Sequence, residues 1–199
     1  MKKKGRTSDP TQLFRQWFEA AVKSNTCTGF EPNAMTLATC GPQGPSARIV
    51  LLKSFDTHGF VFFTNYESRK GQDILFNPSV AALFHWPQCG RQVRIEGRAE
   101  KVSEEESDAY FQSRPRASRL GALISMQSQT LASRGTLREL FDKARRSYRG
   151  KFVPRPSTWG GFRIVADRFE FWEAGAGRLH TRRCYTRAGT TWKEVFLFP

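Results

Sequence analysis

Four short stretches hold the side chains best suited to grip an anion: "RIVLLK" (48–53), "FFTNYESRKG" (62–71), "YFQSRPRAS" (110–118) and "FEFWEAGAGRLHTRR" (169–183). Together they carry several Arg and Lys donors near predicted element ends, where backbone N–H groups and bidentate guanidinium forks bind phosphate. A strand that stops at Thr64 and gives way to Ser68, Arg69 and Lys70 therefore reads as a phosphate grip. Taken singly, each stretch has a plainer reading. Arg48 fits a charge at a strand edge, Ser68 to Lys70 a helix start on the surface, Trp172 a core ring and His180 a hydrogen-bonded polar neighbour. Only the set points to chemistry.

Side-chain acid–base chemistry is thinly supplied. The three histidines are His58, His85 and His180, and there is no GxSxG elbow, Walker loop or GxGxxG, so hydrolase, P-loop and Rossmann readings have no motif to stand on. Cys27, Cys40, Cys89 and Cys184 show no CxxC spacing and no paired histidines, so no metal is expected. A chain rich in arginine and aromatic rings but poor in acid–base pairs leaves the difficult chemistry to a cofactor. The formal net charge of +14 again favours an anionic partner. Apart from clusters at Lys2 to Arg6 and Arg145 to Lys151 the charge is dispersed, and no helix-turn-helix, zinc-finger or RNP-like pattern goes with it, so no nucleic acid is expected. No apolar run approaches the ~20 residues of a membrane span, so no membrane is expected either. The reading is a reduced, cytoplasmic protein, with organelle targeting by the basic N-terminus left open.

The elements that must position these residues begin with a helix. Asp9 is placed as its N-cap, Pro10 as its first residue and Gln12 at its third, followed by Phe14, Trp17, Phe18, Ala21 and Val22 at helical spacing. Short β-rich runs follow at 34–40, 46–53, 59–65, 79–86 and 91–102, separated by turns such as Gly41-Pro42-Gln43-Gly44 and Asn77-Pro78. Such spacing favours antiparallel neighbours in a barrel or strongly curved sheet. In the fifth run Gln92, Arg94, Glu96 and Arg98 alternate with Val93, Ile95 and Ala99, which predicts one wet and one inward face. Ser103 and Glu106 form a capping box for a helix ending near Arg114-Pro115, with further helices near Leu120 to Ser125 and Thr136 to Tyr148. After "VPRPSTWGG" come the β runs "GFRIVA", "RFEFW", "GRLHTRRCYTR" and "TTWKEVFLF". The expected organisation is a flexible basic tail (1–8) and a single domain (9–199), mainly β with α, with a helical insertion (about 103–150) and a C-terminal β section (about 159–199).

In order and spacing the set resembles the pyridoxine (pyridoxamine) 5′-phosphate oxidase family, flavin enzymes of vitamin B6 metabolism, from about Asp9 to Pro199. The motifs that carry it are "RIVLLK", "FTN", "SRK", "RQV", "YFQSRPRAS", "QS", "WGGFR", "FEFW" and "RLH". The resemblance implies an α+β, FMN-binding split β-barrel with flanking helices, forming a homodimer with shared FMN sites. It puts FMN against Arg48, Ile49, Val50, Leu51, Lys53, Phe63, Thr64, Ser68, Arg69 and Lys70, and completes the flavin site with Gln92, Gln127, Ser128, Trp172 and Arg182. Of these, Gln127, Ser128, Trp172 and Arg182 are implied to lie across an interface from Arg48 and Arg69. The substrate phosphate is implied at Lys53, Tyr110, Arg114 and Ser118, with Arg178 and His180 as the catalytic pair near the pyridine ring. The implied reaction takes hydride from C4′ of pyridoxamine or pyridoxine 5′-phosphate to flavin N5, gives pyridoxal 5′-phosphate and returns the electrons to oxygen.

Three positions depart from the family pattern. Thr181 stands where "RLHDR" has its acid, Phe196 stands where the closing "RLAP" has Arg, and no basic-aromatic segment precedes Asp9. Two alternatives therefore accompany the resemblance: a split-barrel flavin oxidase of another substrate, such as a phenazine-pathway oxidase, and a non-catalytic FMN- or pyridoxal-phosphate-binding paralogue. Along "GRLHTRR" an extended strand is expected, with Arg178, His180 and Arg182 on one face and Leu179 and Thr181 turned away.

Overall fold

The computed structural model describes residues 9–25 and 29–199; the expected flexible tail (1–8) and Cys27 lie outside the described residues. Helix α1 (Pro10–Lys23) starts as its sequence requires, with the Asp9 carboxylate accepting from Thr11 N–H at 2.9 Å and Pro10 in the first turn. Its stripe of Phe14 and Trp17 is buried on the sheet, with Phe14 edge-on to Phe55, Phe60 and Phe84 at 4.9–5.0 Å. Each such ring contributes about 1.5–3 kcal/mol by leaving water.

The sheet is antiparallel. Its strands are β1 (Ala34–Gly41), β2 (Gly44–Leu51), β3 (Ser54–Asp56), β4 (Gly59–Asn65), β5 (Ser79–Trp86), β6 (Arg91–Lys101), β7 (Trp159–Glu173), β8 (Thr181–Ala188) and β9 (Thr191–Phe196). They run in the order β2-β1-β5-β6-β7-β4-β3, with β8 on β7 and β9 on β8. Lys53 N–H donates to Val61 O, which brings the chain leaving β2 onto β4, so the two ends of the order approach each other as in a split barrel. Val93, Ile95 and Ala99 face inward on β6, as the alternation predicts.

Two expectations change on the long strand. "GFRIVA" and "RFEFW" are one continuous β7 of 15 residues, with an irregularity opposite Glu96/Gly97 where the two-residue period slips. The first half of β7 pairs β4 and the second half pairs β8, with β6 along its other side. The strand expected over "GRLHTRR" is interrupted. Ala176–Arg178 form a single 3-10 turn in which Gly177 (φ 61°) and Arg178 (φ 64°) are left-handed, and β8 begins only at Thr181. Arg178, His180 and Arg182 therefore do not form one strand face, because the two positive φ angles turn the chain before pairing can start.

Helix α2 (Arg69–Phe76) links β4 to β5, and helices α3 (Glu104–Ser113), α4 (Arg116–Ile124) and α5 (Arg134–Ser147) intervene between β6 and β7. Ser103 caps α3 by accepting from Glu106 N–H at 3.1 Å. These helices build a second small core of Phe111, Leu120, Val153 and Trp159. Arg155 ties the chain entering β7 to α3 by ion pairs with Asp108 (2.7 Å) and Glu104, and donates to Trp159 O at 2.6 Å.

Candidate active site

Between the end of β2, the end of β4 and helices α3 and α4 lies a cavity of about 620 Å³. It contains eleven of the expected residues: Ile49, Val50, Leu51, Lys53, Phe63, Thr64, Lys70, Tyr110, Arg114, Ser118 and Gln127. Lys53 reaches it because β2 stops at Leu51, which frees Lys53 from the alternation that would set it on the face opposite Arg48.

At one wall stands the start of α2. The Ser68 hydroxyl caps the helix by accepting from Gly71 N–H at 3.3 Å. The buried Lys70 ammonium donates to Thr64 Oγ1 (3.1 Å), Ser68 Oγ (3.1 Å) and Gln127 Oε1 (2.9 Å), all neutral acceptors. Burial first, and the Arg48 charge second, push its pKa down to about 8. Arg48 is itself lowered, mainly by burial and further by Arg69, while Asp73 opposes the shift. Three cations thus meet around one helix start, with a single carboxylate among them. Arg48 is held on that carboxylate's side: its NH1 donates to Thr39 Oγ1 (2.8 Å) and Leu37 O, its NH2 lies 3.7 Å from Asp73, and Thr39 donates to Asp73 at 2.7 Å. Asp73 can stand there because residue 41 is glycine; a Cβ at Gly41 would meet Asp73 Oδ1 at 2.1 Å.

Gln127 and Ser128 depart from the expected partition across an interface. Within this chain Asn65 Nδ2 donates to Ser125 O (3.1 Å), and Arg69 N–H donates to Ser128 Oγ (3.2 Å), which pins the loop after α4 onto the end of β4. Ser128 has φ 74°, an uncommon angle for a residue with a Cβ, and its hydroxyl contact helps hold it. Gln127 and Ser128 therefore belong with the Thr64, Arg69 and Lys70 of their own chain.

The other wall is aromatic. Phe63 and Tyr110 stack at 4.0 Å, and Trp159 lies nearly parallel to both, 5.5 Å from Phe63 and 6.2 Å from Tyr110. The paired glycines before Phe162 make room for this: a Cβ at Gly161 would stand 2.8 Å from the Phe63 ring. Arg114 packs its guanidinium over Trp159 at 4.7 Å, and its NH1 is buried without a hydrogen-bond acceptor.

A second group collects at the far end of β7. Gln92, Trp172 and Arg182 stand in register across β6, β7 and β8, and His180 lies against the Trp172 ring at 4.6 Å, accepting from Gly175 N–H at Nδ1. Arg182 is bound by buried Glu170 through Nε (2.9 Å) and NH2 (2.8 Å). Arg178 sits in the turn just before His180. None of Gln92, Trp172, Arg178, His180 and Arg182 lines the cavity beside Trp159.

Two family models match: one described as pyridoxamine 5′-phosphate oxidase, over residues 25–147, and one described as the pyridoxine 5′-phosphate oxidase C-terminal dimerisation region, over residues 159–199. The chain belongs to the pyridoxamine 5′-phosphate oxidase family. Relatives named pyridoxine/pyridoxamine 5′-phosphate oxidase include one from Rubrobacter xylanophilus, 50% identical over 98% of this chain and 89% of its own. Another, from Cupriavidus pinatubonensis, is 53% identical over 96% and 89%. The crystal structure of PhzG from Burkholderia lata 383, in complex with tetrahydrophenazine-1-carboxylic acid, matches with a TM-score of 0.90 at 32% identity, over 98% of this chain and 94% of that one. A pyridoxamine 5′-phosphate oxidase-related, FMN-binding protein from Nostoc punctiforme matches with a TM-score of 0.73 at 19% identity, over 94% and 97%, a likeness of fold alone.

Within this family frame the sequence reading passed over five residues that the geometry brings forward: Thr39 and Asp73 behind Arg48, Asn65 behind the Gln127 loop, Trp159 in the ring stack and Glu170 behind Arg182. Trp159 and Glu170 lie inside the motifs "WGGFR" and "FEFW", but their partners, Phe63 and Tyr110 for one and Arg182 for the other, are brought to them by the fold. Asp73 carries no signal beyond an acid on a basic helix. Among the described residues no helix is long and apolar enough to cross a membrane.

Proposed function

We propose that the chain binds FMN and oxidises pyridoxamine or pyridoxine 5′-phosphate at C4′ to pyridoxal 5′-phosphate, with oxygen as the final acceptor. The observation that carries the proposal is one cavity lined by two groups of cations, Lys70 at the start of α2, with Arg48 and Arg69 close behind it, and Arg114 with Lys53, together with an aromatic wall. Each station fits a phosphate by its own chemistry. At the first, a buried ammonium beside two further cations gains a dianion as counter-charge; at the second, the Arg114 guanidinium, which lines the cavity, meets an anion.

In this reading Thr64, Ser68, Arg69, Lys70 and Gln127 hold the FMN phosphate, while Lys53, Tyr110, Arg114 and Ser118 hold the substrate phosphate. Bound FMN supplies the hydride acceptor and passes electrons on to oxygen. The chain's own contribution is to fix the two rings relative to each other through their phosphates and to keep water off the aromatic wall. Gln92, Trp172, Arg178, His180 and Arg182 join the site from a second copy, since none of them lines their own chain's cavity. A homodimer with two FMN follows, and the match to the C-terminal dimerisation region supports it. Arg182, fixed by Glu170, faces the flavin, and His180, held against Trp172, faces the substrate with Arg178.

A second reading, oxidation of a carboxylated ring without a phosphate, is favoured by the likeness to PhzG. Purified protein is expected to be yellow, to elute as a dimer with two FMN, and to bleach anaerobically on adding pyridoxamine 5′-phosphate. A flavin that stays oxidised with this substrate but bleaches with tetrahydrophenazine-1-carboxylic acid would support the second reading, and a protein that takes up no flavin would sink both.

The Lys70 shift gives a pH dependence. Its folded pKa of about 8 lies below the ordinary 10.5, so between those values the unfolded chain holds more protons, and this group makes FMN-free protein more stable as pH rises. Phosphate binding needs the ammonium charged. FMN affinity is therefore expected to be level below pH 8 and to fall by up to about tenfold per pH unit above it, measured by flavin fluorescence titration. A flat profile to pH 9.5 would remove Lys70 from the phosphate station.

A further inference from the structure

Arg114 is held differently from Arg48 and Arg182. Arg48 faces Asp73, and Arg182 is gripped by Glu170. Among the described residues Arg114 has no carboxylate within ion-pairing distance; it lies 4.7 Å from the Trp159 ring centroid and 5.6 Å from that of Phe111. Trp159 is buried and edge-on to Phe111 at 5.1 Å, and its backbone is fixed on both sides, by Arg155 at its carbonyl and by Pro156 O at its N–H. An aromatic face attracts a guanidinium through its quadrupole without neutralising its charge or occupying its in-plane N–H donors.

We propose that Trp159 is a positioning residue for phosphate recognition: its ring face fixes the Arg114 guanidinium and leaves the full charge and the in-plane donors that face the cavity to a phosphate monoester there. This rests on the reading of Arg114 as the substrate-phosphate contact. A carboxylate partner in the same place would orient Arg114 equally well but would repel the phosphate.

The test uses the FMN-loaded protein and two unreactive probes, 4′-deoxypyridoxine 5′-phosphate and 4′-deoxypyridoxine, in which C4′ is a methyl group and which differ only by the phosphate. Binding is measured by calorimetry. Trp159→Leu is expected to weaken the phosphorylated probe about five- to tenfold and to change the other less than twofold, while adding nothing in an Arg114→Ala background. Fluorinated tryptophan introduced at position 159 alone keeps the shape while draining the ring face, so it remains informative where the leucine variant does not fold. Affinity for the phosphorylated probe should then fall stepwise with fluorine number. Equal weakening of both probes by Trp159→Leu, or no dependence on fluorination, would overturn the proposal while leaving Arg114 as a phosphate contact. Unchanged affinity of the phosphorylated probe in Arg114→Ala would overturn that contact, and the role of Trp159 with it.

Discussion

Lys70→Met is expected to raise the dissociation constant for FMN by about 10- to 100-fold, the largest loss from any single residue of the first station. A charge-assisted hydrogen bond to phosphate is worth ~1.5–3 kcal/mol, and a factor of ten corresponds to ~1.4 kcal/mol. Lys70 carries this weight because its ammonium is buried and gathers Thr64, Ser68 and Gln127 around itself, whereas Arg69 is exposed and screened. The FMN-free variant is expected to melt within about 4 °C of wild type, since losing three hydrogen bonds to neutral acceptors is offset by no longer burying a charge. Fluorescence titration together with a melting curve checks both halves. An affinity within twofold of wild type would remove the phosphate from the start of α2.

Arg114→Ala is expected to raise KM for pyridoxamine 5′-phosphate by about 30- to 100-fold, with a much smaller effect on kcat, because a phosphate handle remote from C4′ binds ground and transition states alike. Arg114→Lys should recover only part of this, since an ammonium cannot reproduce the planar fork or the stacking on Trp159. Steady-state kinetics of both variants provide the measurement. A fall in kcat with KM unchanged would place Arg114 at the reacting carbon instead of at the phosphate.

The two residues share one property that separates them from Arg48 and Arg182. Arg48 and Arg182 are set by buried acids, Asp73 and Glu170. Lys70 and Arg114 are set by neutral groups, hydroxyl and amide oxygens in one case and ring faces in the other. An acid-paired cation is well oriented but partly neutralised, while a cation held by neutral groups keeps its whole field at the cost of desolvation. Glu170 also bears on the missing acid at Thr181: Arg182 has its carboxylate from the neighbouring strand, and Thr181 lies exposed.

The local sequence by itself determined the caps and most of the strands. Asp9-Pro10, Ser68 and Ser103 start helices where their side chains accept from N–H groups two or three residues on, and the strands at 59–65 and 79–86 end as their turn residues dictate. Family membership was legible too, because the motifs that carry it are short and contiguous. Tertiary structure decided three things that no local pattern encodes. The left-handed turn at Gly177 and Arg178 broke a strand that composition favoured, and Arg178 adopts an angle its own side chain disfavours. Hydrogen bonds spanning about 60 residues brought Gln127 and Ser128 to the end of β4 of the same chain. The course of the long β7 set Trp159 in the wall of the cavity and Trp172 outside it. Each of these depends on pairing and packing between residues distant in sequence, where backbone hydrogen bonds and buried rings outweigh the propensity of any single stretch.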